Sequence, residues 1–297
     1  MSEGVVPSVA ELVALRAAVT GRRAARRGSQ GAGQTLSPVR GRGMEYAESR
    51  EYAAGDDARH IDWRVTARTG RAHTKLYQAE RDRLSLIVAD TSPGMYFGTR
   101  VRFKSVQAAR AGAIAAWATV RDGDRVAVLR GSSTEAPVSP ASGARGALRV
   151  IDALVRWYAA RPLDDGGLTM ALDQAQRVLR PGSRLIVLAD PGSVAALPVS
   201  RWSSLARHQE VFLLLLTDPL EQTPPPALLP FRVDGDRVEI DLADAAQRQR
   251  WTGEFAAPVQ AALQSLPPRG IRVQALSSEA ASESWLSMLG RQPSLVA

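Results

Sequence analysis

Three apolar runs in this chain end in an aspartate: LSLIVA before Asp90, RLIVLA before Asp190 and VFLLLLT before Asp218. One aspartate in such a place reads as a helix N-cap, because its side chain accepts from first-turn N–H groups and its charge suits the helix dipole. Three of them together point to a carboxylate cluster. The turn after the first run, Asp90-Thr91-Ser92-Pro93-Gly94, adds a hydroxyl two residues beyond the aspartate. Hard divalent cations take oxygen ligands and keep several waters, so two carboxylates and one or two hydroxyls make up a partial shell for Mg2+. Thr169, which follows the glycine pair Gly166 and Gly167 at a helix start, is a candidate for the second hydroxyl and equally a candidate N-cap.

Residues so far apart need a frame that brings strand ends together. Continuous apolar runs bounded by turns are the form of strands buried on both faces. Such runs occur at Leu84–Ala89, Arg125–Leu129, Arg184–Asp190, Val211–Asp218 and Ile271–Leu276. Helical spacing of apolar residues fills the intervals at Lys104–Val120, Ala147–Tyr158, Thr169–Leu179, Pro198–His208 and Ala243–Leu266, with a last helix near Ser282–Leu289. The alternation predicts an α/β fold of the doubly wound class, a mostly parallel sheet flanked by helices, with ligands beyond the carboxyl ends of the strands. Phe231–Leu242 carries a DGD turn between alternating residues and reads as a hairpin at an edge.

Composition narrows the chemistry. The chain has 297 residues, 45% of them apolar, no cysteine and three histidines, His60, His73 and His208. Disulfides, thiolate metal sites and cysteine nucleophiles are excluded, and the histidines show no metal-ligand spacing. The net charge is +8, and of 38 basic residues only Lys75 and Lys104 are lysines, leaving 36 arginines. Val9, Leu12, Val13, Leu15 and Val19 predict a short amphipathic helix. No acidic residue occurs between Leu12 and Met44, where seven arginines lie among Gly, Ser, Gln and Pro, so residues 1–40 read as a helix followed by a basic arm. No stretch approaches the apolar length of a membrane span, and the polar start with Glu3 is unlike a secretory signal, which predicts a soluble, cytoplasmic protein.

Between Gly41 and Arg83 the chain is dense in charge. Glu45, Glu48, Glu51, Asp56, Asp57 and Asp62 interleave with Arg50, Arg59, Arg64, Arg68 and Arg71, so neighbouring charges can pair across a compact loop pinned by Tyr52 and Trp63. This segment, GRGMEYAESREYAAGDDARHIDWRVTART with KLYQAERD and LSLIVADTSPGM after it, closely resembles the signature of the bacterial family called domain of unknown function 58, and TDPLE at Thr217–Glu221 fits its pattern. Members of that family are similar to von Willebrand factor A domains. The resemblance implies domains at 41–83, packing on the main domain, and at 84–297, the von Willebrand factor A-like domain. It also implies a metal-ion-dependent adhesion site holding Mg2+ or Mn2+, with Asp90, Ser92, Thr169 and Asp190 as ligands. Gly94 stands where that pattern has a second serine.

The function implied is a non-enzymatic interaction module whose metal keeps one position open for a partner's carboxylate. A MoxR-type AAA ATPase and a client protein are the expected partners; ion-pair bracing is the first reading of the charged segment, and a docking surface through Arg50, Asp56, Asp57, Arg59, Asp62, Trp63 and Arg64 is its alternative. A metal-dependent hydrolase using the same aspartates is a second reading, but the chain has no GxSxG, HExxH or GxxxxGK[ST] motif. Nucleic-acid binding through the basic arm is a third. It is disfavoured because no aromatic residue precedes Tyr46 to supply a stacking platform.

Overall fold

The computed structural model describes residues 4–20, 40–53, 56–78, 83–233 and 236–290, which divide between two compact units, one drawn from 1–26 and 83–297 and the other from 27–82. Most of the expected basic arm, residues 21–39, lies outside the described residues.

The smaller unit is built on an antiparallel ladder between β1 (Arg40–Glu51) and β2 (His73–Gln78), in register at Ser49–Lys75, Arg50–Thr74 and Glu51–His73. The connection carries a 3-10 turn, Ala58–His60, and a helix, Trp63–Thr69, that ends at Gly70 in the left-handed conformation (φ 71°). The charged stretch expected as a compact loop thus contains an antiparallel ladder.

The larger unit is a mixed α/β structure around six strands in the order β10-β7-β6-β3-β4-β5. These are β3 (Leu84–Ala89), β4 (Arg125–Arg130), β5 (Val138–Ala141), β6 (Arg184–Ala189), β7 (Glu210–Thr217) and β10 (Ile271–Ser277). All neighbours pair in parallel except β5, an antiparallel edge on β4. Alternate strand residues bury into separate cores. Ile87, Val128, Ile186 and Leu214 pack with the helices Lys104–Arg121 and Gly143–Ala159, whereas Val88, Leu129, Val187 and Leu213 pack with Gly167–Val178, Val199–Ala206 and Ala257–Ser265. Both faces are therefore covered, as the unbroken apolar runs require. The chain turns from β3 to β4 on one side and later places β6 on the other, so the topological switch point lies between the carboxyl ends of β3 and β6.

Several expectations are corrected. The hairpin, β8 (Leu228–Val233) with β9 (Asp236–Asp241), forms a separate two-stranded sheet rather than an edge of the large one. The expected helix 243–266 is broken into Ala245–Trp251, a π-helical turn at Thr252–Ala256 and Ala257–Ser265, with Pro258 in the first turn of the last piece. The final element, Ser284–Leu289, is 3-10. The N-terminal helix is two short ones, Val9–Ala14 and Arg16–Thr20. Leu12 and Val19 are fully buried in the core against Lys104–Arg121 and Gly143–Ala159, the Trp117 indole N–H donates to the Leu12 carbonyl at 3.2 Å, and Glu11 pairs with Arg110. Leu12→Ala is expected to lower stability by about 2–5 kcal/mol, the range for emptying a buried leucine site. Urea unfolding checks this, since a dispensable arm helix gives no change.

Candidate functional site

The three strand-end aspartates meet at the carboxyl edge of the sheet, but each is committed to a different task. Asp90, after β3, is buried and spans the switch point: its Oδ1 accepts from the Ser92 N–H and its Oδ2 from the Asp190 N–H, both at 2.9 Å. The buried Tyr158 hydroxyl holds the Asp90 carbonyl at 2.8 Å. Burial pushes the Asp90 carboxyl above its usual range, against the pull of those two N–H donors.

Asp218, after β7, is fully buried and fully served by neutral donors. Its carboxylate accepts from the Thr99 hydroxyl (2.6 Å) and N–H (3.0 Å), the Ser278 hydroxyl (2.7 Å) and the Leu220 N–H (3.0 Å). With Glu221, whose Oε2 accepts from the Asp218 N–H at 2.9 Å, it forms a capping box at the start of the short helix Pro219–Gln222.

Asp190, after β6, caps the turn Pro191–Ala195 through Oδ1, which accepts from the Gly192 N–H at 2.8 Å. Its other oxygen takes the ammonium of Lys104 at 2.6 Å, and the same ammonium lies 2.5 Å from Glu221 Oε1. Lys104 is the first residue of the helix Lys104–Arg121 and is 1% exposed. Burial pulls its pKa down, yet the charges of Asp190 and Glu221 and their hydrogen bonds outweigh that pull, and the net direction is upward.

The hydroxyls expected beside the aspartates are distributed differently. Ser92 is half-buried and its Oγ accepts from the Ser193 hydroxyl at 3.1 Å. Thr169 is exposed in the first turn of Gly167–Val178 and has no described hydrogen bond to the aspartates. That helix start is tied to the end of β4 instead. The Gly166 N–H donates to the Gly131 carbonyl at 2.8 Å, and a Cβ on Gly131 would lie 2.2 Å from the Gly167 oxygen. The residue that reaches the Asp90 loop from there is Asp165, which accepts from the Thr91 hydroxyl at 3.0 Å.

These residues do not fit the divalent shell that the resemblance implies. Both Asp90 oxygens are occupied by backbone donors, one Asp190 oxygen caps a turn, the other holds an ammonium, and Thr169 stands apart. Among the described residues, no group of three or more His, Asp or Glu side chains is arranged to hold a metal ion.

In the smaller unit, Asp62 caps the helix Trp63–Thr69 by accepting from the Arg64 and Val65 N–H groups at 3.2 Å and takes the Ser49 hydroxyl at 2.8 Å. Arg50 pairs with Asp56 at 2.6 Å, Asp57 with Arg59 at 2.8 Å and Glu51 with Arg71 at 2.9 Å. Hydrogen bonds from Arg59, side chain first and then backbone, hold the Asp57 carboxyl far below its usual range. The bracing ion pairs are thus present, but the aromatic pins are not. Trp63 is 70% exposed and Tyr52 is exposed as well, its hydroxyl donating to the Asp56 carbonyl at 2.9 Å.

Comparison with known proteins gives the family. The family described as protein of unknown function DUF58 matches residues 48–257. The chain belongs to that family. Relatives of 29% identity over 192 residues are uncharacterised proteins of Mycobacterium bovis and of two strains of Mycobacterium tuberculosis; the match covers 63% of this chain and 59% of theirs. The chain's match thus spans under two thirds of those relatives' length. A crystal structure of an aerotolerance-related membrane protein from Bacteroides fragilis aligns at 15% identity and a TM-score of 0.42, over 69% of this chain and 96% of that one, a likeness too loose to bear on the site. In this chain no helix among the described residues is long and apolar enough to cross a membrane.

Sequence reasoning missed Lys104, Glu221 and Asp165. Glu221 was signalled by its spacing from Asp218, three residues on, as in a capping box. Replacing Lys104 by Met leaves the buried Glu221 and the half-buried Asp190 carboxylates without their counter-charge, which is expected to lower stability by about 3–5 kcal/mol. Because the folded-state pKa of Lys104 is raised, its contribution is fully present below the ordinary lysine value of about 10.4 and is lost only as pH rises through the folded value. Denaturant unfolding of wild type and Lys104→Met between neutral pH and pH ~10 should show a constant difference, shrinking only above that window.

Proposed function

We propose that this chain is a non-enzymatic protein-interaction module whose signature unit docks a MoxR-type AAA ATPase, while its sheet unit, read as a von Willebrand factor A-like domain, presents the carboxyl edge of the sheet to a client protein. The von Willebrand factor A-like reading draws support from the parallel strand order and from the Asp-x-Ser turn at the switch point.

Trp63 is the observation that carries the docking role. An indole 70% exposed is a large apolar surface left in water, and it sits at the first position of a helix fixed by the Asp62 cap. Arg64 and Arg68, one turn apart on the same helix, are exposed and form no ion pair among the described residues. Tryptophan and arginine are the residues that dominate binding energy at interfaces, and a surface already held in shape loses little entropy on docking. The flanking pairs Arg50–Asp56 and Asp57–Arg59 are too exposed to add much stability, so shaping this surface is the role that suits them. Arg64 and Arg68 favour a partner surface that offers carboxylates.

The test uses the purified chain and the purified MoxR-type ATPase of the same organism. Trp63→Ala is expected to weaken their association by about tenfold or more, as loss of a hot-spot aromatic does, with an unchanged circular dichroism spectrum, and Trp63→Phe to restore part of it. No association by the wild-type chain, or equal affinity for Trp63→Ala, contradicts the reading.

A further inference from the structure

The resemblance calls for a divalent ion at the carboxyl edge of the sheet, and the side chains there are already committed to something else. We infer that the ammonium of Lys104 is the resident cation of this site, held by Asp190 and Glu221, and that the site works without a divalent metal.

Four observations bear on this. First, the ammonium is buried between two carboxylate oxygens at 2.6 and 2.5 Å, so the positive charge that would neutralise this carboxylate cluster is supplied by the chain itself. A metal ion bound through Asp190 Oδ2 would have to share that oxygen with a cation already on it, and the two positive charges would repel at short range.

Second, Gly94 and Lys104 act as one arrangement. A Cβ on residue 94 would lie 2.8 Å from Asp190 Oδ2 and 3.0 Å from Asp190 Cγ. The carboxylate occupies the space that a serine side chain at 94 would use. A glycine at 94 supplies no oxygen ligand and at the same time leaves Asp190 room to lean to the ammonium.

Third, the position is doubly unfavourable for a cation unless it has a purpose. Lys104 begins an 18-residue helix, whose amino end repels positive charge, and it is withdrawn from water. Two carboxylates from different elements, one after β6 and one after β7, offset both penalties.

Fourth, 36 of the 38 basic residues are arginine, and the buried one at this site is one of the two lysines. A guanidinium is a broad planar fork, whereas an ammonium is a compact point charge. Only the ammonium approximates a small ion between two oxygens.

The consequence concerns how a client is recognised. No open metal position exists for an incoming carboxylate to complete, so engagement of this edge is insensitive to chelators. The ammonium instead locks the start of Lys104–Arg121, the turn after β6 and the short helix after β7 into one block.

Mn2+ titration of the isolated full chain, followed by electron paramagnetic resonance, tests this together with thermal unfolding in the presence of EDTA or excess Mg2+. No partner is present, so the outcome is separate from that of the Trp63 experiment. The wild-type chain is expected to bind no Mn2+ at this site and to keep the same Tm in EDTA and in Mg2+. Lys104→Ala vacates the cation position and is expected to acquire Mn2+ binding and a metal-dependent rise in Tm, both lost again in Lys104→Ala/Asp190→Asn. A stoichiometric Mn2+ site in the wild-type chain that Asp190→Asn removes overturns the inference. So does a folded Lys104→Ala with no metal response. If Lys104→Ala does not fold, the wild-type titration decides alone.

Discussion

A lysine ammonium withdrawn from water is tolerated only where carboxylates replace its hydration, and at the first residue of a helix it also faces the positive end of the helix dipole. Lys104 meets both conditions, and the geometry of the sheet's carboxyl edge follows from how they are satisfied. Asp190 turns one oxygen inward, through space that a side chain at residue 94 would contest. Glu221 must reach the ammonium with one oxygen while the other holds the Asp218 N–H, which fixes the short helix after β7. Asp218 is thereby placed to hold Thr99 and Ser278, and so the loop that leads into Lys104 itself. Asp90 closes the arrangement by accepting from the Asp190 N–H across the switch point. Each strand-end aspartate secures a neighbouring element, and the one cation among them is covalent.

The smaller unit uses charge in the opposite way. Its ion pairs are exposed, where screening and side-chain entropy leave little net energy, and they serve to set the course of a loop. What this shaping achieves is the display of Trp63 and its neighbouring arginines. The larger unit buries an ammonium between carboxylates, and the smaller pairs its charges in the open beside an exposed tryptophan. Both lie within residues 48–257, the stretch that matches the family.

The fold was legible where burial is symmetrical. Strands covered on both faces are apolar at most positions, so β3, β6 and β7 stand out as nearly continuous runs, with Ser85 the polar exception inside β3, and the helices between them show their period. The edge strand β5 has no such signal, because Pro140 interrupts it and only one neighbour pairs with it. The β1–β2 ladder was hidden because the charges that dominate its sequence say nothing about a partner strand more than a helix away. At the site, the aspartates were legible from their place at strand ends, but the identity of their counter-ion was not. Reading for oxygen ligands directs attention to carboxylates and hydroxyls, and a cation arriving from the start of the next helix breaks that pattern. Thr169 shows the converse: spacing placed a hydroxyl near a glycine pair, and the close approach of Gly131 to Gly167 tied that turn to β4 instead.

Because the chain holds only two lysines, the state of the central ammonium can be observed directly. In a sample labelled with 15N at the lysine side chains, Nζ resonances arise from Lys75 and Lys104 alone, and Lys104→Met assigns them. A buried ammonium held by Asp190 and Glu221 should give a Lys104 signal whose protons exchange slowly with water at neutral pH and whose titration lies above the ordinary lysine value of about 10.4. A Lys104 signal that exchanges as fast as an exposed lysine, or that titrates below the ordinary lysine value of about 10.4, contradicts a paired cation at the heart of the site.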